Sequence, residues 1–380
     1  MLSRSLCFAV AATMVVPLGP AAANITDAPK AKASSIKLEI VARGLRNPWA
    51  IAFLDDGALL VTERPGTMKV VLDGGKMVDV AGLPEIAATG QGGLLDVVTA
   101  PDYGETKRIF FSYSEPRGGG QTAVAVASAT LERGEGTAKL TDLKRIFQQQ
   151  PAVRSGYHFG SRLVFRPDGT LFVTLGDRGR RDRSQDTKRH WAKIVRINQD
   201  GSVPDDNPFV GRTDVLPEIW SIGHRNVQGA DLHPETNALW TVEHGARGGD
   251  EINIPEPGKN YGWAVISYGR HYSGGRIGEG TEKAGLEQPH YYWDPSIAPS
   301  GMTFYTGDMF PRWKGDLFVG ALKYRQLVRL DLDESGKVVG EERLLEDVNA
   351  RIRHVRQGPD GALYVATDNP RGRILRITPN

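Results

Sequence analysis

I-A-F-L-D-D-G-A-L-L-V-T-E-R at residues 51–64 returns as L-V-F-R-P-D-G-T-L-F-V-T-L-G-D at 163–177 and as V-R-Q-G-P-D-G-A-L-Y-V-A-T-D at 355–368. Each copy is an alternating run, an Asp-Gly turn and a second alternating run, the pattern of two antiparallel strands joined by a tight connection. Weaker copies occur at 94–114 with Pro101-Asp102, at 230–244 with Pro234-Glu235, and at 302–322. Copies spaced about 45 to 70 residues apart match propeller blades whose insertions fall in loops. The expected fold is all-β, a six-bladed β-propeller over residues 36–380 around a central channel. Ile36 to Gly44 is apolar and alternating, and is expected to close the ring against the last blade and so remove an exposed edge. Crossover helices, which a parallel α/β sheet needs, are not apparent in the pattern.

Arg4, the apolar stretch Leu6 to Leu18 and Ala21-Ala22-Ala23 read as a secretory signal peptide over residues 1–23, too short in its apolar part to span a bilayer. Residues 24–35 are expected to be a flexible segment before the propeller domain. The one cysteine, Cys7, lies in the leader, so the remaining chain has no disulfide, thiolate metal site or covalently attached haem. Export without cysteine fits a bacterial periplasm. The 47 basic and 45 acidic residues nearly cancel, which argues against a nucleic-acid partner or a membrane-surface role. Dinucleotide, P-loop, zincin and serine-hydrolase signatures are all missing from the sequence, which disfavours those chemistries.

Polar residues gather instead where loops meet the repeats. His158, in Y-H-F-G-S-R-L-V-F, is placed to take a proton, or simply to hydrogen-bond a loop. In R-I-R-H-V-R the two-residue period of a strand puts Arg351 and Arg353 on one face,. Two forked cations side by side suit a ligand with several carboxylates, or else pair with acidic neighbours on a solvated face. Lys323 is expected to add a third charge. Arg225 and Asn226, in G-H-R-N-V-Q-G, either turn into the channel mouth or tie loops together. The turn E-H-G-A-R-G-G-D-E-I-N at 243–253 offers carbonyls and carboxylates. Such an all-oxygen donor set suits Ca²⁺ better than zinc, unless the segment is a plain polar turn.

Taken in order, G-L-R-N-P-W-A-I-A-F at Gly44, G-Q-G-G-L-L-D at Gly90, H-F-G-S-R-L at His158, G-H-R-N-V-Q-G at Gly223, the turn at Glu243, G-K-N-Y-G-W at Gly258, A-P-S-G at Ala298 and R-I-R-H-V at Arg351 resemble the soluble pyrroloquinoline-quinone-dependent sugar dehydrogenases. The likeness is to the glucose/sorbosone dehydrogenase group, and within it to the periplasmic aldose sugar dehydrogenases. It implies a six-bladed propeller that oxidises the anomeric carbon of aldoses by hydride transfer to pyrroloquinoline quinone, with Ca²⁺ bridging cofactor and protein. It implies His158 as the base and Arg225 as the cation beside the quinone oxygen. Gln91, Asn226, Tyr272, Lys323, Arg351 and Arg353 correspond to cofactor contacts. The carbonyls of Gly245 and Ala246 correspond to catalytic Ca²⁺ ligands, and Glu251 and Tyr261 to a second, structural Ca²⁺ site.

Two departures lie close to the site. Tyr157 stands where soluble glucose dehydrogenases carry an acidic residue, and His244-Gly245-Ala246 replaces their Gln-Gly-Pro. Tyr157 and Trp293 are therefore expected to shape an open cleft. The expected partners are an aldose and a periplasmic electron acceptor, a cytochrome or a quinone, with the protein a monomer or homodimer. Two competing readings are a Ca²⁺-dependent propeller sugar lactonase, which would need carboxylate and amide side chains converging on the channel axis, and a non-catalytic sugar- or protein-binding propeller.

Overall fold

A computed structural model describes residues 28–380; the leader assigned to 1–23 lies outside them. The chain starts with β1 (Ile36–Leu45) and then runs through a succession of antiparallel meanders. The first holds β2 (Pro48–Phe53), β3 (Leu59–Glu63), β4 (Thr67–Val71) and β5 (Met77–Ala81). Next come β6 (Leu94–Thr99), β7 (Arg108–Pro116), β8 (Thr122–Gly134) and β9 (Thr137–Gln148). They are followed by β10 (Gly160–Phe165), β11 (Leu171–Leu175), β12 (Lys193–Ile197) and β13 (Ile219–Ile222), then β14 (Val227–Leu232), β15 (Leu239–Glu243), β16 (Asp250–Asn253) and β17 (Tyr291–Trp293). The last are β18 (Pro299–Phe304), β19 (Leu317–Ala321), β20 (Gln326–Leu332) and β21 (Val338–Leu344), and finally β22 (Ile352–Gln357), β23 (Leu363–Thr367) and β24 (Gly372–Pro379). The first two meanders join into one eight-stranded sheet through a parallel β5–β9 pair. The others form separate four-stranded sheets, the last completed by β1 against β24.

The first strands of successive meanders touch in a closed circuit: β2 to β6, β10, β14, β18, β22 and back to β2. That circuit is the arrangement of a β-propeller. It explains the burial pattern, because each sheet packs both faces against a neighbour. β3, β11, β15 and β19 are therefore buried along their whole length, whereas the peripheral β9 mixes buried with exposed positions. The repeated Asp-Gly turns share one geometry. Asp56, Asp168 and Asp360 each accept the amide two residues on, and the glycine between them has φ of +79° to +83°, a conformation glycine adopts at no steric cost.

Each innermost strand carries a register shift near its start, between Pro48 and Ala50, Leu94 and Val97, Gly160 and Leu163, Val227 and Gly229, Pro299 and Met302, and Ile352 and His354. Such a bulge leaves an amide out of the ladder. In three meanders a hydroxyl from the second strand satisfies it: Thr62 accepts from Ala50 N (3.1 Å), Ser112 from Asp96 N (3.0 Å) and Thr174 from Arg162 N (2.9 Å). The same hydroxyls donate onward to Leu95 O, Ser161 O and Val227 O in the next meander, so one atom closes a bulge and links neighbours. Thr174 is fully buried, and Thr174→Val is expected to lower stability by about 1–3 kcal/mol by leaving both partners unsatisfied, as read from urea denaturation.

The described part of the segment at 24–35 bonds to the outer strand β21. Pro29 O and Ala31 N bond to Glu341 on β21, Ser34 bonds to Glu342, and Trp313 Nε1 donates to Ser34 Oγ at 2.9 Å. The free edge of β21 provides the partners, which the composition of 28–35 does not disclose. Among the described residues no helix is long and apolar enough to cross a membrane.

Candidate functional site

Antiparallel pairing sets the start of each innermost strand beside the end of the next: Gly160 faces Leu175, Val227 faces Glu243, Pro299 faces Ala321 and Ile352 faces Thr367. Of the polar residues singled out from the sequence, Gln91, His158, Arg225, Asn226, Arg351 and Arg353 lie at or beside those ends, and the ring brings them to one mouth of the channel. There a cavity of about 260 Å³ is lined by Gln91, Asn226, Gln228, His244, Arg351 and Arg353, with Arg64 and Asp368. Below it lies Arg162, whose guanidinium bonds Gln228 O (2.7 Å), Asp96 Oδ1 (3.0 Å) and Arg353 O (3.4 Å) and sits 4.0 Å from the centre of the Trp49 ring. It also lines a second cavity of about 300 Å³, together with Asp231, His354 and Arg356.

His158 stands at the rim. Its amide donates to Gln91 Oε1 at 2.8 Å, which ties it to the cavity wall. Its φ of +49° is uncommon for a side-chain-bearing residue, the kind of local strain that surrounding contacts must hold. Nδ1 lies 2.6 Å from Asp177 Oδ1, and the Asp177 carboxylate also accepts Gly179 N (2.7 Å) and Trp263 Nε1 (2.7 Å). Burial works against the Asp177 charge. The hydrogen bond from His158 and the positive charges of His158 and Arg225 outweigh it, and its pKa is lowered,. An ionised carboxylate at Nδ1 keeps the proton there and leaves Nε2 as the basic nitrogen. Asp177 was not singled out from the sequence, where it reads only as the residue after a strand.

Arg225 is held on three sides. Its amide bonds Glu243 Oε2, its Nη1 donates to His244 O at 3.1 Å, and its guanidinium lies 5.3 Å from the centre of the Trp263 ring. Asn226 Oδ1 accepts from Gly160 N and Gln228 Nε2. Arg351 and Arg353 share a face, as the strand period predicts, and Asp368 lies between them, 3.3 Å from Arg351 Nη2 and 2.9 Å from Arg353 Nη2. The anion that two adjacent cations require is thus supplied first by the protein. Burial opposes the Asp368 charge, but Arg353, the Asn47 amide and Arg351 hold its pKa well below the usual carboxylate range. A group lowered in this way adds stability above its unfolded pKa of about 3.9 and loses it as pH falls toward the folded value. Asp368→Asn is therefore expected to lower Tm at neutral pH, with the gap to the parent closing below about pH 4; a gap constant with pH would contradict this.

In the turn at 243–253, Asp250 accepts Gly245 N, Ile297 N and Ala298 N, so its carboxylate braces the loop. Burial pushes its pKa up to about 6. None of the described residues donates a hydrogen bond to the carbonyls of Gly245 or Ala246. Gly245 has no room for a side chain, since a Cβ there would lie 2.0 Å from Gly248 O. Glu243 and Glu251 share one amide, Asn253 Nδ2, at 3.0 and 3.2 Å. Burial and then the Glu243 charge raise the pKa of Glu251. Asn253 Oδ1 is buried without a partner.

The glucose/sorbosone dehydrogenase family model matches residues 45–376. The chain belongs to the glucose/sorbosone dehydrogenase family. Among its relatives, aldose sugar dehydrogenase YliI of Escherichia coli (strain K12) is 45% identical over 350 residues, 91% of this chain and 94% of that protein. The crystal structure of the soluble E. coli aldose sugar dehydrogenase in the apo-form superimposes with a TM-score of 0.88 at 45% identity, over 91% of this chain and 100% of that one. The PQQ-bound form of the Streptomyces coelicolor aldose sugar dehydrogenase does so with a TM-score of 0.74 at 26% identity, over 91% and 100%.

Against that family frame, three expected residues stand apart. Lys323 is exposed, with Nζ 4.8 Å from the centre of the Tyr324 ring, and only its neighbour Leu322 lines the cavity. Tyr272 is 74% exposed on the loop 270–276. Trp293 is fully buried, with Nε1 donating to Glu341 at 2.8 Å, so it packs in a sheet rather than shaping a cleft. Tyr157, 62% exposed beside His158, does stand at the rim.

Proposed function

We propose that this chain is a six-bladed propeller and a periplasmic aldose sugar dehydrogenase that uses pyrroloquinoline quinone and Ca²⁺. The eight-stranded sheet counts as two blades in this reading, and export rests on the leader at 1–23. The observation that carries the function is the hydrogen-bonded His158–Asp177 couple at the rim of a cavity walled by Arg351 and Arg353.

The residues present fit both groups. Arg353 Nε and His244 Nε2 are buried on the cavity wall without a hydrogen-bond partner. Burial, then the charges of Arg225 and Arg353, pull the His244 pKa down to about 3, which keeps that ring neutral. With Gln91, Gln228 and Asn226, these groups would hold a planar, carboxylate-rich ring, and Lys323 and Tyr272 would reach it only by moving from their present positions. For Ca²⁺, the free carbonyls of Gly245 and Ala246 offer one all-oxygen set. Glu251, the unpartnered Asn253 Oδ1 and the carbonyl of Tyr261 offer a second. The Tyr261 hydroxyl is already bonded to Ile254 O and Glu256 N.

When bound, the quinone accepts two electrons and the hydrogen from the sugar's anomeric carbon. The chain prepares that carbon. His158 Nε2 takes the proton of the anomeric hydroxyl, and Asp177 stabilises the imidazolium that results. Arg225, fixed before any substrate arrives, supplies a preorganised positive charge. A lactonase reading needs free carboxylate ligands on the axis alongside amides. Among the described residues lining the cavity the one carboxylate is Asp368, already shared by Arg351, Arg353 and Asn47. Reconstitution tests the proposal: the apo-protein given the quinone and Ca²⁺ is expected to reduce an artificial dye with an aldose, and to do neither without the quinone. Lactone hydrolysis with no dye reduction would replace it.

A further inference from the structure

The half of the mouth built by the third and fourth meanders is rich in uncompensated positive charge. Its loops are knitted together: Arg181 Nη1 lies 2.8 Å from His271 Nδ1, Arg247 N bonds Arg270 O, Arg270 and Arg276 form a bridge, and Gly179 lies against Tyr157. Arg154, Arg180, Arg181, Arg247, Arg270 and Arg276 are all exposed there, and none forms an ion pair with a carboxylate. Other charges nearby partly cancel. Asp182 pairs with Arg183, Asp186 with Arg189 and Glu279 with Lys283, leaving Asp294 beside Gly248 and Glu282 as the unpaired acids. The excess is local, because the whole chain carries a formal charge of only +2. Two large rings, Tyr157 and Tyr272, stand out of the same surface.

We propose that this rim is the docking face for an electron-accepting protein with an acidic surface around its redox centre. The inference rests on the dehydrogenase reading, since an enzyme reduced at this mouth discharges its electrons from there; below the cavity, Arg162 of β10 bonds to Gln228 O of β14 and Arg353 O of β22. Like charges held apart without partners cost little in water, but they steer an oppositely charged partner and fix its orientation. Exposed aromatic rings beside such charges provide the apolar contact that a small, transient interface needs.

The test uses one probe in two charge states: a lysine-rich cytochrome c, and the same cytochrome with its lysines succinylated. Binding to the full-length protein is measured by surface plasmon resonance, and reoxidation of the sugar-reduced holoenzyme by stopped flow. The succinylated form is expected to bind at least about tenfold tighter than the unmodified one, and the difference should vanish between about 20 and about 200 mM salt. Arg180→Glu/Arg270→Glu/Arg276→Glu is expected to weaken it about tenfold or more and slow reoxidation. Reduction by the sugar should be unchanged, and Lys76→Glu/Lys139→Glu on the far edge should have no effect. Equal binding of both forms, or indifference to the triple substitution, overturns the docking face while sugar reduction still reports on the dehydrogenase reading. If the triple substitution instead raises KM for an aldose carrying a carboxylate and leaves the cytochrome unaffected, the rim serves substrate and the proposal fails.

Discussion

Replacing His158 by alanine is expected to leave the fold and cofactor uptake intact and to lower turnover by about 10²- to 10⁴-fold, the usual worth of a positioned base. The side chain makes no contact on which the scaffold depends other than the bond to Asp177. The Gln91 bond comes from the His158 main chain and survives the substitution. Asp177→Asn tests the pair from the other side. Asp177 accepts from His158, Gly179 and Trp263, so an amide must turn its NH₂ toward at least one N–H. Either choice leaves the ring misheld or the Trp263 indole unpaired, and turnover should fall about 10²-fold with KM little changed. Normal turnover in both variants would remove the pair from catalysis.

Arg353→Ala is expected to weaken quinone binding about 10- to 100-fold, by the loss of a charge-assisted bond in a dry wall. Calorimetry on the apo-protein reads this without any turnover. Arg353 is buried and braces two neighbours, Gln228 Oε1 at 3.0 Å and Asp368 at 2.9 Å, so the variant should also lose about 3–5 kcal/mol of stability. Arg353→Lys separates the two effects, since it retains the charge beside Asp368 but not the fork. Arg351→Ala should do less on both counts, its side chain being 45% exposed. Unchanged quinone affinity in all three variants would mean that the arginines serve only Asp368.

What the sequence disclosed and what it concealed follow from the range of the interactions involved. The Asp-Gly turns are local, three residues closing on themselves, and so Asp56, Asp168 and Asp360 announced the strand pairs directly. The common face of Arg351 and Arg353 followed from strand periodicity. Asp368 could not be foreseen as their partner, because the contact is set by the pairing of β22 with β23 and not by spacing. Asp177 and Trp263 are 86 positions apart yet share a hydrogen bond, and only the ring joins them. Trp293 looked like a cleft residue because an aromatic next to a loop carries no mark of which way it faces; pairing with β16 turned it inward. Lys323 was placed by its position at the end of a strand-like run and Tyr272 by resemblance, and long exposed side chains have many conformations of similar energy.

The sheet that completes the ring takes β1 from one end of the fold and β24 from the other, with Ile36 facing Pro379, 343 positions later. A contact so distant along the chain forms late and slowly. During synthesis β1 therefore waits without its partner until almost everything after it has been made. The same sheet brings Arg351 and Arg353 to the cavity wall, and β2, the strand that follows β1, brings Trp49. Clipping β24 would unfasten both together, so the newborn protein gains its fold and its capacity to hold a ligand in a single act of closure.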